Sequence, residues 1–156
     1  MRINDSILIL YASQTGTAED LAKDTEEQLV ELGYIVRCLD CYDTNPTFLR
    51  EHKTCILIAS TWADGDPPDD AETFYNDLEN NKNLDLSHLR FAVFGLGDSA
   101  YEQFNECGKN FDRMLKERGG SRILPRVDCD VDMDAPFDQW VKNLTKRLAI
   151  DIVGHC

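Results

Sequence analysis

Positive charge is scarce in this sequence of 156 residues: 16 Lys and Arg stand against 29 Asp and Glu, a formal net charge of −13. That excess of carboxylates excludes nucleic acid and anionic membrane as partners and favours a basic protein surface. Long apolar runs are missing as well. The first, SILILYA (Ser6 to Ala12), is too short to span a bilayer, and no secretory leader is expected. Histidine is limited to His52, His88 and His155, all away from the loops that carry the other signals, so none reads as a base beside a nucleophile. They are expected at the surface. Cys38 and Cys41 form one C-x-x-C, but no second pair exists to complete a zinc site and no helix start follows it. With Cys55, Cys107, Cys129 and Cys156 they read as free thiols of a cytoplasmic protein.

What is present is an alternation of short β-rich runs with helical patterns and no repeat, linker or low-complexity segment, in a length that suits one domain. The runs Ser6 to Ala12, Tyr34 to Leu39, Thr54 to Ser60, Arg90 to Gly97 and Arg122 to Val127 predict five strands. They are apolar on both faces, as in a parallel sheet covered by helices on each side. Leu21, Thr25, Leu29 and Leu32 predict one helix face ended by Gly33. Phe104, Gly108, Phe111 and Leu115 predict another ended by Gly119, and Phe137, Val141, Leu144 and Leu148 a last one.

Ligands of such sheets bind beyond the carboxyl ends of the strands, and three segments there carry the chemistry. The first, SQTGTAE, offers the hydroxyls of Ser13, Thr15 and Thr17, a glycine at Gly16 and a helix start, all neutral donors suited to a terminal monophosphate. It lacks the Gly-Lys-Ser/Thr of a triphosphate loop and the three spaced glycines of a dinucleotide loop. An ordinary helix cap would look the same in isolation. The second segment, STWADGDPPDDAETF (Ser60 to Phe74), puts Trp62 directly after a strand. The third, GLGDSAYEQFN (Gly95 to Asn105), brings Tyr101 to the same end of the sheet. Two rings can enclose a planar heterocycle, each stacking contact adding about 0.5 to 1.5 kcal/mol beyond area burial. A phosphorylated receiver domain would need an acidic pair after the first strand and an aspartate after the third, where this chain has Ala12-Ser13 and Ser60-Thr61.

Together, SQTGTAE, DGDPPDDA and FGLGDSAYEQFN closely resemble the loops of the flavodoxin-like FMN domains of diflavin reductases, such as cytochrome P-450 reductase and the sulfite reductase flavoprotein. STW is more like bacterial flavodoxins, and RVDCDVD is similar to the sulfite reductase ending. The resemblance spans nearly the whole chain. It implies an α/β three-layer fold with a five-stranded parallel sheet in the order 2-1-3-4-5 and non-covalent FMN. Position by position, it implies phosphate binding by Ser13, Gln14, Thr15, Gly16, Thr17 and Ala18, and an inner ring contact from Ser60, Thr61, Trp62 and Ala63. The outer contact falls to Leu96, Gly97, Asp98, Ser99, Ala100, Tyr101, Glu102, Gln103, Phe104 and Asn105.

Further expectations follow from the resemblance. The protein is expected to be a monomeric, soluble electron carrier rather than an enzyme, taking electrons from an FAD- and NADPH-dependent flavoprotein reductase. They pass to a basic-faced haem protein such as a bacterial cytochrome P-450, as in stand-alone carriers of the cindoxin type. An FMN domain cut from a diflavin reductase is the alternative, and a quinone-reducing FMN enzyme a third reading. No second domain for FAD or NADPH and no N-terminal anchor is expected. Asp64, Asp66, Asp69, Asp70 and Glu72, with Asp128, Asp130, Asp132 and Asp134, are expected to rim the flavin edge. At about 8 Å and an effective dielectric near 20, each would oppose an added negative charge by roughly 2 kcal/mol.

Reductase-type relatives often have glycine where this chain has Ala63. If the peptide after Trp62 turns to positive φ, the β-carbon costs about 1 to 2 kcal/mol, which lowers the one-electron couple by tens of millivolts, since 1.4 kcal/mol is about 59 mV. Spectroelectrochemistry of Ala63→Gly should therefore show more one-electron-reduced flavin at half reduction than the wild type; an equal or higher yield in the wild type would refute this.

Overall fold

The computed structural model describes residues 6–13, 16–61, 67–68, 71–97 and 105–154. In chain order these form β1 (Ile7–Ala12), α1 (Thr17–Glu31), β2 (Val36–Asp40), β3 (Thr54–Ser60), α2 (Glu72–Asn80), β4 (Arg90–Leu96), α3 (Glu106–Glu117), β5 (Ser121–Arg122), β6 (Val127–Cys129) and α4 (Asp134–Gly154), with 3-10 turns at Cys41–Asp43 and Pro46–Glu51. All strand pairings are parallel, in the order β2-β1-β3-β4-β5 with β6 also on β4.

The period-2 alternation of the strands separates two cores. Leu8 and Leu10 of β1, with Leu57 and Val93, face Phe74 and Leu78 of α2 and Phe111 and Leu115 of α3. Ile7 and Ile9, with Ile58 and Phe94, face Ala18, Ala22 and Leu29 of α1 and Phe137, Trp140 and Leu144 of α4. Phe94 meets Phe137 edge-on at 5.5 Å and Trp140 at 5.1 Å. Each such buried side chain contributes roughly 1.5 to 3 kcal/mol, so the three central strands are held from both sides.

The expected elements are found with four differences. The fifth strand is split: β4 advances from Phe91 to Phe94 while its partner advances from Arg122 to Val127. Pro125 lies in this interruption, where a residue without an N–H cannot join the ladder. The second strand begins at Val36 rather than Tyr34, because the Tyr34 N–H is taken by Leu29 O at the end of α1. On α1 the buried stripe is Ala18, Ala22, Thr25 and Leu29, whereas Leu32 is 61% exposed beyond the last turn. Small alanines make that stripe less conspicuous than the leucines do. Helix α2 was not anticipated; its short stripe of Phe74 and Leu78 follows an acidic, proline-containing stretch. Its carboxyl end is secured by buried Arg118, which donates to Leu78 O at 2.7 Å, Asn81 O at 2.9 Å and Glu79 O at 3.1 Å.

Histidine 52 also departs from expectation. Its side chain is fully buried, with Nδ1 3.1 Å from Phe48 O, and burial lowers its pKa. His88 is exposed, as expected, and His155 lies outside the described residues. Cys38 and Cys41 belong to opposite cores, so the C-x-x-C does not bring two thiols together. Cys38, Cys41, Cys55, Cys107 and Cys129 are free thiols. Burial pushes Cys55 up to about 12 and Cys41 and Cys107 well above the ordinary thiol value.

In the unfolded chain these thiols ionise near 8.5, so with rising pH the unfolded state loses protons that the folded state keeps. Their stabilising contribution is full below about pH 8.5 and declines above it. Urea midpoints should accordingly fall between about pH 8 and about pH 10, and fall less in Cys55→Ala; identical slopes would contradict this assignment.

Candidate functional site

The strand register decides where the three loops meet. Ala12 pairs with Ala59, Ser60 with Leu96, and Leu96 with Cys129. The carboxyl ends of β1, β3, β4 and β6 thus stand in line, and the segments after the first three leave the sheet side by side. Between β1 and β3 the order of the sheet reverses, which is where open parallel sheets leave a crevice.

The first loop ends in a left-handed residue. Gly16 is the N-cap of α1 at φ 92° and ψ −9°, a conformation that favours glycine, and it has no side chain with which to cap the helix. Its N–H donates to Ser13 Oγ at 2.9 Å, closing the loop, and its carbonyl accepts the first helical bond from Asp20 N at 3.0 Å. Among the described residues beyond its chain neighbours, no heavy atom lies within 4 Å of where a β-carbon on Gly16 would stand. The helix start, a serine hydroxyl and this open space make a neutral donor set. Thr17 is half-buried, while the Ala18 side chain is buried in the core, so any ligand contact there would be through its backbone. Beside the loop, burial and then Glu19 push the Tyr11 phenol up to about 12, keeping it neutral.

The second and third loops are braced against each other at their roots. Thr61 N donates to Leu96 O at 3.0 Å, and Thr61 Oγ1 accepts the Cys107 N–H at 3.1 Å, capping the first turn of α3 from another segment. Ser60 and Gly97 are half-buried, and the Leu96 side chain is buried in the core. Asn105 is fully buried and left-handed, at φ 56° and ψ 26°, as the N-cap of α3. Its Nδ2 donates to Asp128 Oδ1. The expected site residues Gln14, Thr15, Trp62, Ala63, Asp98, Ser99, Ala100, Tyr101, Glu102, Gln103 and Phe104 lie outside the described residues, as do Asp64, Asp66, Asp69 and Asp70.

Of the acidic rim after the fifth strand, Asp128 is exposed but engaged, accepting from Arg126 Nε at 2.7 Å and Nη2 at 3.2 Å as well as from Asn105. Asp134 opens α4, where a carboxylate favours the helix start. Asp130 and Asp132 remain in the connecting segment, with Asp130 Oδ1 accepting the Val131 N–H at 2.8 Å. The bracing contacts join residues 23 and 46 positions apart and were not anticipated. The Arg-x-Asp spacing at Arg126 and Asp128, which puts opposite charges on one face of a strand, was the available signal.

The flavodoxin family model matches residues 9–140. The chain belongs to the flavodoxin family. It is similar to the sulfite reductase [NADPH] flavoprotein alpha-component of Bacillus subtilis (strain 168), with 40% identity over 94% of this chain and 24% of that protein. The corresponding component of Zymomonas mobilis is 40% identical over 91% of this chain and 23% of its own length. The chain thus spans about a quarter of the length of these relatives. Among solved structures, flavodoxin from Streptococcus pneumoniae TIGR4 superposes with a TM-score of 0.82 at 27% identity, covering 93% of this chain and 98% of that one. Oxidised Flavodoxin 2 from Bacillus cereus gives 0.77 at 31% identity, over 94% and 99%.

The family cofactor is FMN, and the chain is a flavodoxin-like FMN electron-transfer domain. The neutral donors around Gly16 fit a phosphate monoester. Among the described residues no helix is long and apolar enough to cross a membrane, and no group of His, Cys, Asp and Glu could hold a metal ion.

If the Thr61 hydroxyl braces the two loops, Thr61→Val should lower unfolding free energy by about 1 kcal/mol while Thr61→Ser stays near the wild type. Urea denaturation checks this, and equal losses in the two variants would show that the hydroxyl is not responsible.

Proposed function

We propose that the chain relays single electrons from an FAD-containing, NADPH-oxidising flavoprotein reductase to a haem protein with a basic docking face. The observation that carries the reading is the register that sets the roots of all three loops side by side, beside a neutral cradle at a helix start. FMN, when bound, supplies a ring that accepts two electrons and releases them one at a time. Ser13, Gln14, Thr15, Gly16, Thr17 and Ala18 hold its phosphate through hydroxyls and backbone N–H groups, which is why the loop functions without a lysine. Ser60, Thr61, Trp62 and Ala63 form the inner ring contact, the segment from Leu96 to Asn105 the outer one, and Trp62 and Tyr101 stack on the two faces.

The net charge of −13 supports fast, weak and salt-sensitive docking to basic partners. A bacterial cytochrome P-450 is one acceptor of this class. The near-complete coverage of flavodoxins from S. pneumoniae and B. cereus supports such a carrier. The 40% identity to sulfite reductase flavoproteins supports a second reading, an FMN domain working within a diflavin reductase of that type, with the sulfite reductase haemoprotein as acceptor.

Quenching of FMN fluorescence by the purified chain tests the cofactor. Reconstitution with an NADPH-dependent flavoprotein reductase and either a P-450 or a sulfite reductase haemoprotein then separates the two acceptors by turnover; steady NADPH consumption by the chain alone would overturn both. Reversing charge at Asp66 and Asp69 should slow transfer at low salt and flatten its salt dependence, and unchanged rates would rule out that face.

A further inference from the structure

Both ends of the outer loop are fastened to the same short strand. At its start, Gly97 N donates to Cys129 O at 2.9 Å. At its end, Asn105 Nδ2 donates to Asp128 Oδ1. Residues 128 and 129 of β6 therefore close the loop like a clasp.

The Asn105 end is built with unusual care. Asn105 is the one residue other than glycine with positive φ among the described residues, and its side chain is buried in a slot between β4 and α3. A β-carbon on Gly95 would stand 2.6 Å from Asn105 Cγ, and one on Gly108 would stand 2.9 Å from its Oδ1. Glycine on both walls thus makes the room that the amide fills. Among the described residues Asn105 Oδ1 has no hydrogen-bond partner, and Asp128 accepts the amide's N–H.

Asp128 is itself held. Arg126 grips it with two nitrogens, at 2.7 and 3.2 Å, and reaches Asp112 Oδ2 at 3.3 Å. Asp112, 2% exposed on α3, takes a two-pronged contact from Arg122 of β5, at 2.8 and 2.6 Å. Two guanidinium and two carboxylate groups alternate from β5 through α3 and the strand interruption to the loop end, balanced in charge. Paired and multiply bonded in this way, the buried carboxylate of Asp112 avoids the cost of an isolated charge.

We propose that Asp128, oriented by Arg126, is a positioning residue for the outer flavin loop: by fixing Asn105 in its left-handed conformation it sets how tightly, and in which orientation, the ring is held. This rests on the FMN reading above. Asp128 acts through Asn105, and its exposed carboxylate is engaged by both Arg126 and the Asn105 amide.

A polarity swap tests it. Asn105→Asp places two carboxylates face to face and should weaken FMN binding about tenfold or more, measured by fluorescence quenching. It should also alter the visible circular dichroism of bound flavin and speed exchange of the Cys107 amide in the flavin-free protein. The double variant Asn105→Asp/Asp128→Asn restores a donor and an acceptor with their places exchanged, and should recover affinity, spectrum and exchange together. A double variant no better than the single one, or a single variant that binds like the wild type, would overturn the proposal. Should Asn105→Asp not fold by far-ultraviolet circular dichroism, Asp128→Ala alone, which removes the acceptor, is read in the same way, with a weakened complex and a changed spectrum expected and wild-type values overturning it. A wild-type chain that fails to quench FMN would sink the cofactor reading, and Cys107 amide exchange across the same variants would still decide whether the clasp orders the loop root.

Discussion

Burial of β1, β3 and β4 on both faces is the constraint on which the rest of the molecule depends. A slip of one residue would turn every side chain of a strand to the opposite helical layer. In the observed register Leu8 and Leu10 meet one layer while Ile7 and Ile9 meet the other. That register, in turn, lines up Ala12, Ser60 and Leu96 at one edge. The roots of three loops from distant parts of the chain thereby converge without any of the strands being shaped for a ligand.

The electrostatics divide in two. Most of the acidic excess is a long-range property of the surface, sensitive to salt and concerned with who approaches. Asp112 and Asp128 behave differently, because buried Asp112 is matched to Arg122 and Arg126, and Asp128, though exposed, to Arg126 at hydrogen-bonding distance. Of the carboxylates in the segment VDCDVDMD, Asp128 is tied to an arginine and an amide while still open to solvent. What distinguishes them is the strand: Asp128 lies within β6, fixed by pairing, whereas Asp130 and Asp132 lie beyond it.

Much of the fold was legible in the sequence because its signals are local and repetitive. The runs around Ile9, Ile56 and Val93 are apolar throughout, and the stripe of Phe137, Val141, Leu144 and Leu148 recurs at helical spacing. The loops were legible through composition, with hydroxyls and a glycine before α1 and glycines after β4. The interruption at Pro125 was harder to see, because Ile123, Leu124 and Val127 still read as strand residues around it. Helix α2 was obscured by its short stripe, and His52 was misplaced because nothing near it in sequence announces the Phe48 carbonyl that receives it. The clasp was hardest of all. Asn105, Asp128 and Thr61 find their partners only after the sheet has assembled, so no window along the chain contains the interaction.

The slot around Asn105 has a consequence for how such a chain can drift over evolutionary time. Gly95, Asn105 and Gly108 share one small volume, so a methyl group added to either wall is compatible only with something slimmer than an amide at the centre. Losing the amide would in turn leave the carboxylate at 128 and its arginine without their purpose at the loop end. The five positions form a single heritable unit, and substitutions among them in descendants of this sequence should arrive as compensated sets rather than one at a time.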